Sequence, residues 1–147
     1  LCGDGEDRQA LEDLIHERDI KGVLLPGFLQ IDELARCYSK AQCFVHSAIN
    51  EAWGLVVNEA MASGLPVLVS RRCGCAYDLV SDGDNGYTFD PFNQSELAAL
   101  MRRMSEMEPH RRKAMGERSR EIIKDWGPDR FGEGMVQAID SCQAAVA

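Results

Sequence analysis

No apolar run in this chain approaches the roughly 18 residues that a bilayer-crossing helix needs, and no charged-then-apolar segment stands at its amino terminus. A membrane span is therefore not expected. Blocks of basic residues are also missing: 16 Lys and Arg face 24 Asp and Glu, a net charge of −8. Binding to a phosphate backbone needs a clustered positive face, so nucleic acid is not an expected partner. Cysteine is too sparse for a disulfide framework, and Cys2, Cys37, Cys43, Cys73, Cys75 and Cys142 read as reduced thiols of a cytoplasmic protein. Cys73-Gly74-Cys75 has the look of half a zinc site, but no second Cys or His pair lies at ligand spacing, so no metal is expected. Low-complexity tracts, internal repeats and a Gly-x-Gly-x-x-Gly after a strand are all absent, and the last absence argues against a dinucleotide fingerprint.

What is present is ordinary globular material. The 147 residues, 45% hydrophobic and 27% charged, fit one domain over residues 1–147. A chain of this size buries roughly 68–70% of its unfolded surface. The first residue is Leu1, and Leu1-Cys2 before Gly3-Asp4-Gly5 reads as the end of a strand entering a turn. The expectation is a fragment of a larger protein whose first strand is truncated. Its unpaired edge would favour self-association.

Helical spacing begins at Glu6, with Leu11, Leu14 and Ile15, and fails near Asp19 to Gly22. Val23-Leu24-Leu25, closed by Pro26-Gly27, predicts a buried strand. A second helical pattern, Ile31, Leu34, Ala35 and Tyr38, runs to Lys40 and is followed by a strand at Cys43-Phe44-Val45. The loop from His46 to Trp53 leads into a helix over Gly54 to Ser63, which Gly64 caps, and Pro66 opens the strand Val67-Leu68-Val69. After a Cys- and Gly-rich loop, Arg71 to Ala76, come a helical turn around Tyr77 to Val80, the turn Asp82 to Gly86, and the strand Tyr87-Thr88-Phe89. Helices over Ser95 to Met107, Pro109 to Lys124 and Asp129 to the end complete the chain. This order predicts a doubly wound α/β fold, a mostly parallel sheet of about four strands with helices on both faces. The Met101, Met104 and Met107 stripe reads as core, Trp126 and Phe131 as packing for the last helix, and His16 and His110 as surface.

In such folds ligands bind at loops beyond the carboxyl ends of strands, here Gly3–Gly5, Pro26–Gln30, His46–Trp53 and Arg71–Ala76. Two carboxylates, Glu51 and Glu59, flank Gly54 and the start of the helix it opens. Glycine admits close approach of a ligand to backbone, and the first N–H groups of a helix carry partial positive charge. Carboxylates accept hydrogen bonds from hydroxyls, so an anion site between them suits phosphates set between polyols, the layout of a nucleotide sugar. Glu in a first helical turn also needs no functional explanation. Glu59, one turn after Leu55 on a half-apolar flank, is expected to face inward and want a partner. His46 sits beside the site, and both a contact to a sugar hydroxyl or phosphate and a locally satisfied imidazole fit that position. Arg71 and Arg72 follow a strand end within reach of phosphates, although two solvated arginines fit that place better.

The stretch from Glu51-Ala52-Trp53-Gly54-Leu55 through Asn58-Glu59-Ala60-Met61 to Gly64-Leu65-Pro66-Val67 resembles the signature of glycosyltransferase family 4. These are retaining enzymes of GT-B architecture, marked by two Glu separated by seven residues. Gly3-Asp4-Gly5, Pro26-Gly27-Phe28-Leu29, Cys43-Phe44-Val45-His46-Ser47, Gly74-Cys75-Ala76 and Asp82 to Tyr87 are similar to family segments in order and spacing. The resemblance implies the Rossmann-like, carboxy-terminal, donor-binding half of a two-domain glycosyltransferase. It implies that Glu59 accepts hydrogen bonds from ribose and that Glu51, the candidate catalytic residue, faces the donor sugar. Backbone N–H groups at Trp53, Gly54 and Leu55 would contact sugar and diphosphate, and Gly27, Phe28 and Leu29 would frame the base. The donor would be a UDP-, GDP- or ADP-sugar, with no metal or other cofactor, and the acceptor would be bound by an amino-terminal domain missing here. The alternative is a nucleotide-sugar-binding or regulatory module without transfer. Trp53 stands where the family prefers Phe, and Tyr77-Asp78 stands where many members carry Pro-Glu.

Overall fold

The computed structural model describes residues 1–144, in two compact units: Leu1–Ser39, and the residues from Lys40 on. In the first unit, α1 spans Arg8–Glu17 and α2 opens at Ile31 and runs to Lys40. Gln30 N–H donates to Glu33 Oε2 at 3.0 Å, which satisfies one of the donors that a helix start leaves without an intrahelical partner. Arg8 ties α1 to the following chain by donating from Nη2 to Leu25 O at 2.9 Å.

The strand expected over Val23-Leu24-Leu25 does not form. Pairing in this unit is confined to an isolated parallel bridge between Cys2 and Gly27, with Gly3 N–H donating to Gly27 O at 2.8 Å. With so little partner backbone no ladder propagates, and Val23 and Leu24 stay 37% and 77% exposed instead of buried.

The second unit is built on a parallel sheet in the order β1 (Phe44–His46), β2 (Val67–Ser70), β3 (Gly86–Phe89). Phe44 aligns with Val67 and Val67 with Gly86, so the strands start level and their carboxyl ends share one edge. The described sheet thus has three strands where about four were expected, because neither Leu1-Cys2 nor Val23–Leu25 extends into one. β2 is central, and all four of its residues are buried, as a strand covered on both faces requires.

Leu68 points into a cluster with Phe89, Met104 and Met115, while α3 (Leu55–Ala62) contributes Val57, Ala60 and Met61 to the core. After α4 (Ala76–Leu79) and β3, α5 spans Gln94–Glu106, α6 Pro109–Lys124 and α7 Pro128–Ala144; residues 145–147, expected to continue the last helix, lie outside the described part. Asn93 caps α5 by accepting from Glu96 N–H at 3.0 Å. Asn85, in the Asp82–Gly86 turn, is fully buried; it accepts from Ser81 N–H at 2.8 Å and donates to Leu79 O at 2.9 Å. Of the Met stripe only Met104 is fully core: Met107 is half-buried and Met101 is 50% exposed, because spacing of three drifts around a helix of 3.6 residues per turn. No described helix is long and apolar enough to cross a membrane.

Candidate functional site

The site residues of the second unit gather where β1 and β2 end. The chain leaving β1 is stitched to the chain leaving β2: Gly74 N–H donates to Glu51 O at 2.9 Å, Cys75 N–H to Trp53 O at 3.1 Å, and Cys73 Sγ to the same carbonyl at 2.8 Å. A Cβ on residue 74 would lie 1.8 Å from Ala52 O, so this approach of two backbones admits only glycine there.

Gly54 occupies the centre. It is buried, holds φ at +97°, and its C=O accepts the first α3 bond from Val57 N–H at 2.8 Å. A Cβ at this position would fall 2.8 Å from Cys73 Sγ, 3.4 Å from Glu51 Cγ and 3.5 Å from His46 Nε2. The missing side chain therefore lets three elements converge on one point.

Glu51 keeps 37% of its side chain exposed, with Oε1 accepting from Trp53 N–H at a long 3.4 Å and Oε2 lying 3.9 Å from His46 Nε2. It is a lightly tethered, partly exposed carboxylate. Burial holds His46 below its usual 6.5, and the nearby Glu51 carboxylate offsets part of that effect. The Trp53 indole is fixed by donating to Asn58 Oδ1 at 3.0 Å and by a tilted contact with Trp126, 5.2 Å between centroids. Trp126 carries Arg130 over its ring and thus packs the start of α7, whereas Phe131 is 73% exposed. His16 and His110 lie on the surface, as their polar helices suggested.

Two expectations need correction. Glu59 follows Leu55 by one turn, but Leu55 is itself 69% exposed and Glu59 is exposed with it. The buried face of α3 is Val57, Ala60 and Met61, and an apolar residue at its first turn did not mark the inner side. Arg71 is not a free phosphate ligand: both terminal nitrogens hold the Glu96 carboxylate, at 3.0 and 2.9 Å. That bidentate pair keeps Glu96 below its ordinary 4.5, helped by the N–H of Asp90. Gly27, Phe28 and Leu29 sit in the first unit, where Gly27 is buried at φ +80° and Phe28 is 73% exposed.

Cys73 and Arg72, which the sequence suggests are a small loop residue and a solvated arginine, hold the two loops together. Cys73 looked like a small loop residue, yet its thiol holds the Trp53 carbonyl and lies 3.4 Å from Cys75 Sγ. Burial pushes the Cys75 thiol up to about 12, so it stays protonated. Among the described residues no cluster of three or more His, Cys, Asp or Glu is arranged to hold a metal. Arg72 donates from Nε to Ile49 O at 2.8 Å, bracing the loop after β1 from the loop after β2. The Cys-Gly-Cys spacing was the signal for the first, and a place just after a strand end was the signal for the second.

Fold and site together define a Rossmann-like α/β domain with glycine-centred backbone and a partly exposed carboxylate at the carboxyl edge of its parallel sheet. Residues 1–122 match the family model for glycosyl transferases group 1, and the chain belongs to that family. It is 33% identical over 131 residues to the sulfoquinovosyl transferase SQD2 of Arabidopsis thaliana, a match covering 86% of this chain and 25% of that protein. A solved sucrose-phosphate synthase from Thermosynechococcus elongatus superposes with a TM-score of 0.81 at 28% identity, over 97% of this chain and 36% of that one. The Anabaena protein HepE, solved with UDP-glucose, shares the fold at a TM-score of 0.80 and 23% identity, over 96% of this chain and 40% of its own. The chain thus spans between a quarter and two fifths of these relatives' lengths.

Proposed function

We propose that this chain supplies the donor site of a retaining glycosyltransferase that moves a sugar from a nucleotide-sugar donor to an acceptor hydroxyl. The observation that carries this reading is the convergence on Gly54: a position that admits no side chain, at the start of a helix, with one tethered carboxylate before it and an exposed one after it. Backbone that a ligand can approach closely, with N–H groups at a positive helix end, suits a diphosphate. Glu59, exposed on α3, accepts from ribose hydroxyls, and Glu51, whose long bond to Trp53 N–H a ligand oxygen can replace, faces the hexose. The N–H groups of Trp53, Gly54 and Leu55 serve sugar and diphosphate.

In the transfer the bond from the anomeric carbon to the diphosphate oxygen breaks and its electron pair leaves with the diphosphate. The acceptor oxygen bonds to the anomeric carbon on the same face and gives up its proton to an oxygen of the departing diphosphate. Positive charge develops at the sugar, where a carboxylate such as Glu51 stabilises it. Charge on the leaving diphosphate is met by the helix start, without a metal. The relatives are between two and a half and four times as long as the span they share with this chain, and acceptor binding is assigned to the remainder. The unpaired state of all six cysteines agrees with a cytoplasmic setting. The test is calorimetric: Glu59→Gln weakens a nucleoside diphosphate, whereas Glu51→Gln weakens only its hexose conjugate. A conjugate that binds no better than the bare diphosphate to the unaltered protein defeats the reading.

A further inference from the structure

His46 differs from every other polar side chain of the site. Its Nε2 is buried and has no hydrogen-bond partner. Such atoms are rare in native proteins, because an unsatisfied buried donor or acceptor has lost its water and gained nothing in exchange. Phe44, two residues back on β1, stacks on the ring at 6.2 Å between centroids. What Nε2 does face is Glu51 Oε2, at 3.9 Å, across the space left by the missing side chain of Gly54. Glu51 is correspondingly under-held, tied besides by the long 3.4 Å contact from Trp53 N–H. Two under-partnered groups therefore oppose each other at a distance that a small side-chain rotation of Glu51 closes to an ordinary hydrogen bond.

We infer that His46 is a positioning residue for Glu51: with a nucleotide sugar in place its Nε2–H donates to Glu51 Oε2 and fixes the carboxylate against the donor's hexose. This rests on the donor-site reading above and adds to it the group that aims Glu51. The titratable groups facing the ring are Glu51, from the loop after β1, and the Cys73 thiol, from the loop after β2, which shares the Gly54 space. Near neutral pH the ring is uncharged, because burial holds it below 6.5. Donation from Nε2 then leaves Nδ1 as the unprotonated nitrogen. Acidification turns the hydrogen bond into an ion pair that draws the carboxylate's charge away from the hexose hydroxyls. The preference for nucleotide sugar over nucleoside diphosphate accordingly falls as pH drops through a midpoint below 6.5.

The experiment compares the parent with His46→Gln, whose amide nitrogen reaches about as far as Nε2, and His46→Phe, which cannot donate. Each is titrated calorimetrically with UDP, GDP and ADP and with their hexose conjugates, at about pH 7.5 and about pH 5.5. His46→Phe loses about three- to tenfold of the preference for conjugate, with diphosphate affinity unchanged. His46→Gln keeps the preference at the higher pH and loses its pH dependence. A second readout needs no ligand and no foldable Phe variant: the ring nitrogen resonances of His46 report a titration midpoint that shifts down in Glu51→Gln. A parent preference that His46→Phe leaves intact, a Gln variant as impaired as Phe, or a midpoint indifferent to Glu51→Gln overturns the role of His46 alone. A parent without any preference overturns the donor-site reading, and the positioning role falls with it.

Discussion

Replacing Gly54 by Ala is the sharpest perturbation of this site, because two separate costs are readable from the backbone. At φ +97° any L side chain enters the left-handed region, which costs about 1–3 kcal/mol. The new methyl would also start 2.8 Å from Cys73 Sγ, closer than such atoms pack, and relieving that overlap within a filled core costs about 1–3 kcal/mol more. The expected loss is about 2–5 kcal/mol of unfolding free energy, allowing for shared relaxation. Urea unfolding followed by tryptophan fluorescence suits the measurement, since Trp53 and Trp126 pack on each other beside the site. The steric part is separable: combining Gly54→Ala with Cys73→Ala removes the sulfur, so the double variant should recover about 1 kcal/mol relative to the sum of the singles. A Gly54→Ala protein within about 0.5 kcal/mol of the parent, or strictly additive variants, would refute the convergence on this residue.

Other outcomes follow from groups outside the site. Glu96, held low by Arg71, contributes stability that is present above its ordinary 4.5 and lost as pH falls through its lower folded value. The stability difference between parent and Glu96→Gln should therefore shrink on acidification below 4.5 in urea titrations, and a pH-independent difference would contradict it. Asn85→Ala removes two hydrogen bonds from a fully buried amide and strands Ser81 N–H and Leu79 O, for an expected loss of about 2–4 kcal/mol in thermal or urea unfolding. Thiol titration of the folded protein should find Cys2, Cys37 and Cys142 fast, and Cys43 and Cys75 slow, because burial pushes both of the latter up to about 12. Fast labelling of Cys75 in the folded state would count against the packing of the loop after β2.

Much of this arrangement is legible in the chain because local signals agree with tertiary demand. Pro109 and Lys124 bound α6 as the pattern proposed, Gly54 and Gly64 bracket α3 with positive φ, and the continuously apolar Val67-Leu68-Val69 is the buried central strand. The misses arise where a local pattern is silent about its neighbours. Val23-Leu24-Leu25 is as apolar as β2, but a strand exists only if a partner ladder is supplied, and a single bridge to Cys2 does not supply one. Glu59 was assigned to the inner flank because Leu55 is apolar. In a helix as apolar as α3, which residues face the core is decided by packing against β2 and α6, and Leu55 points outward. Arg71 shows the converse, since its partner Glu96 lies 25 residues away on α5 and no local pattern pairs them.

Under the proposed function, Glu51 and Glu59 serve different halves of one ligand. That division is tested most directly by calorimetric titration of the parent, Glu51→Gln and Glu59→Gln with UDP, GDP and ADP and with their hexose conjugates. For the base that the protein prefers, Glu59→Gln should weaken diphosphate and conjugate alike by about 1–2 kcal/mol, roughly tenfold, as a charge-assisted bond to ribose becomes a neutral one. Glu51→Gln should leave the diphosphate unchanged and weaken only the conjugate. Nucleoside diphosphate binding that is as tight in Glu59→Gln as in the parent, or equal losses in both variants for both ligands, would contradict the assignment.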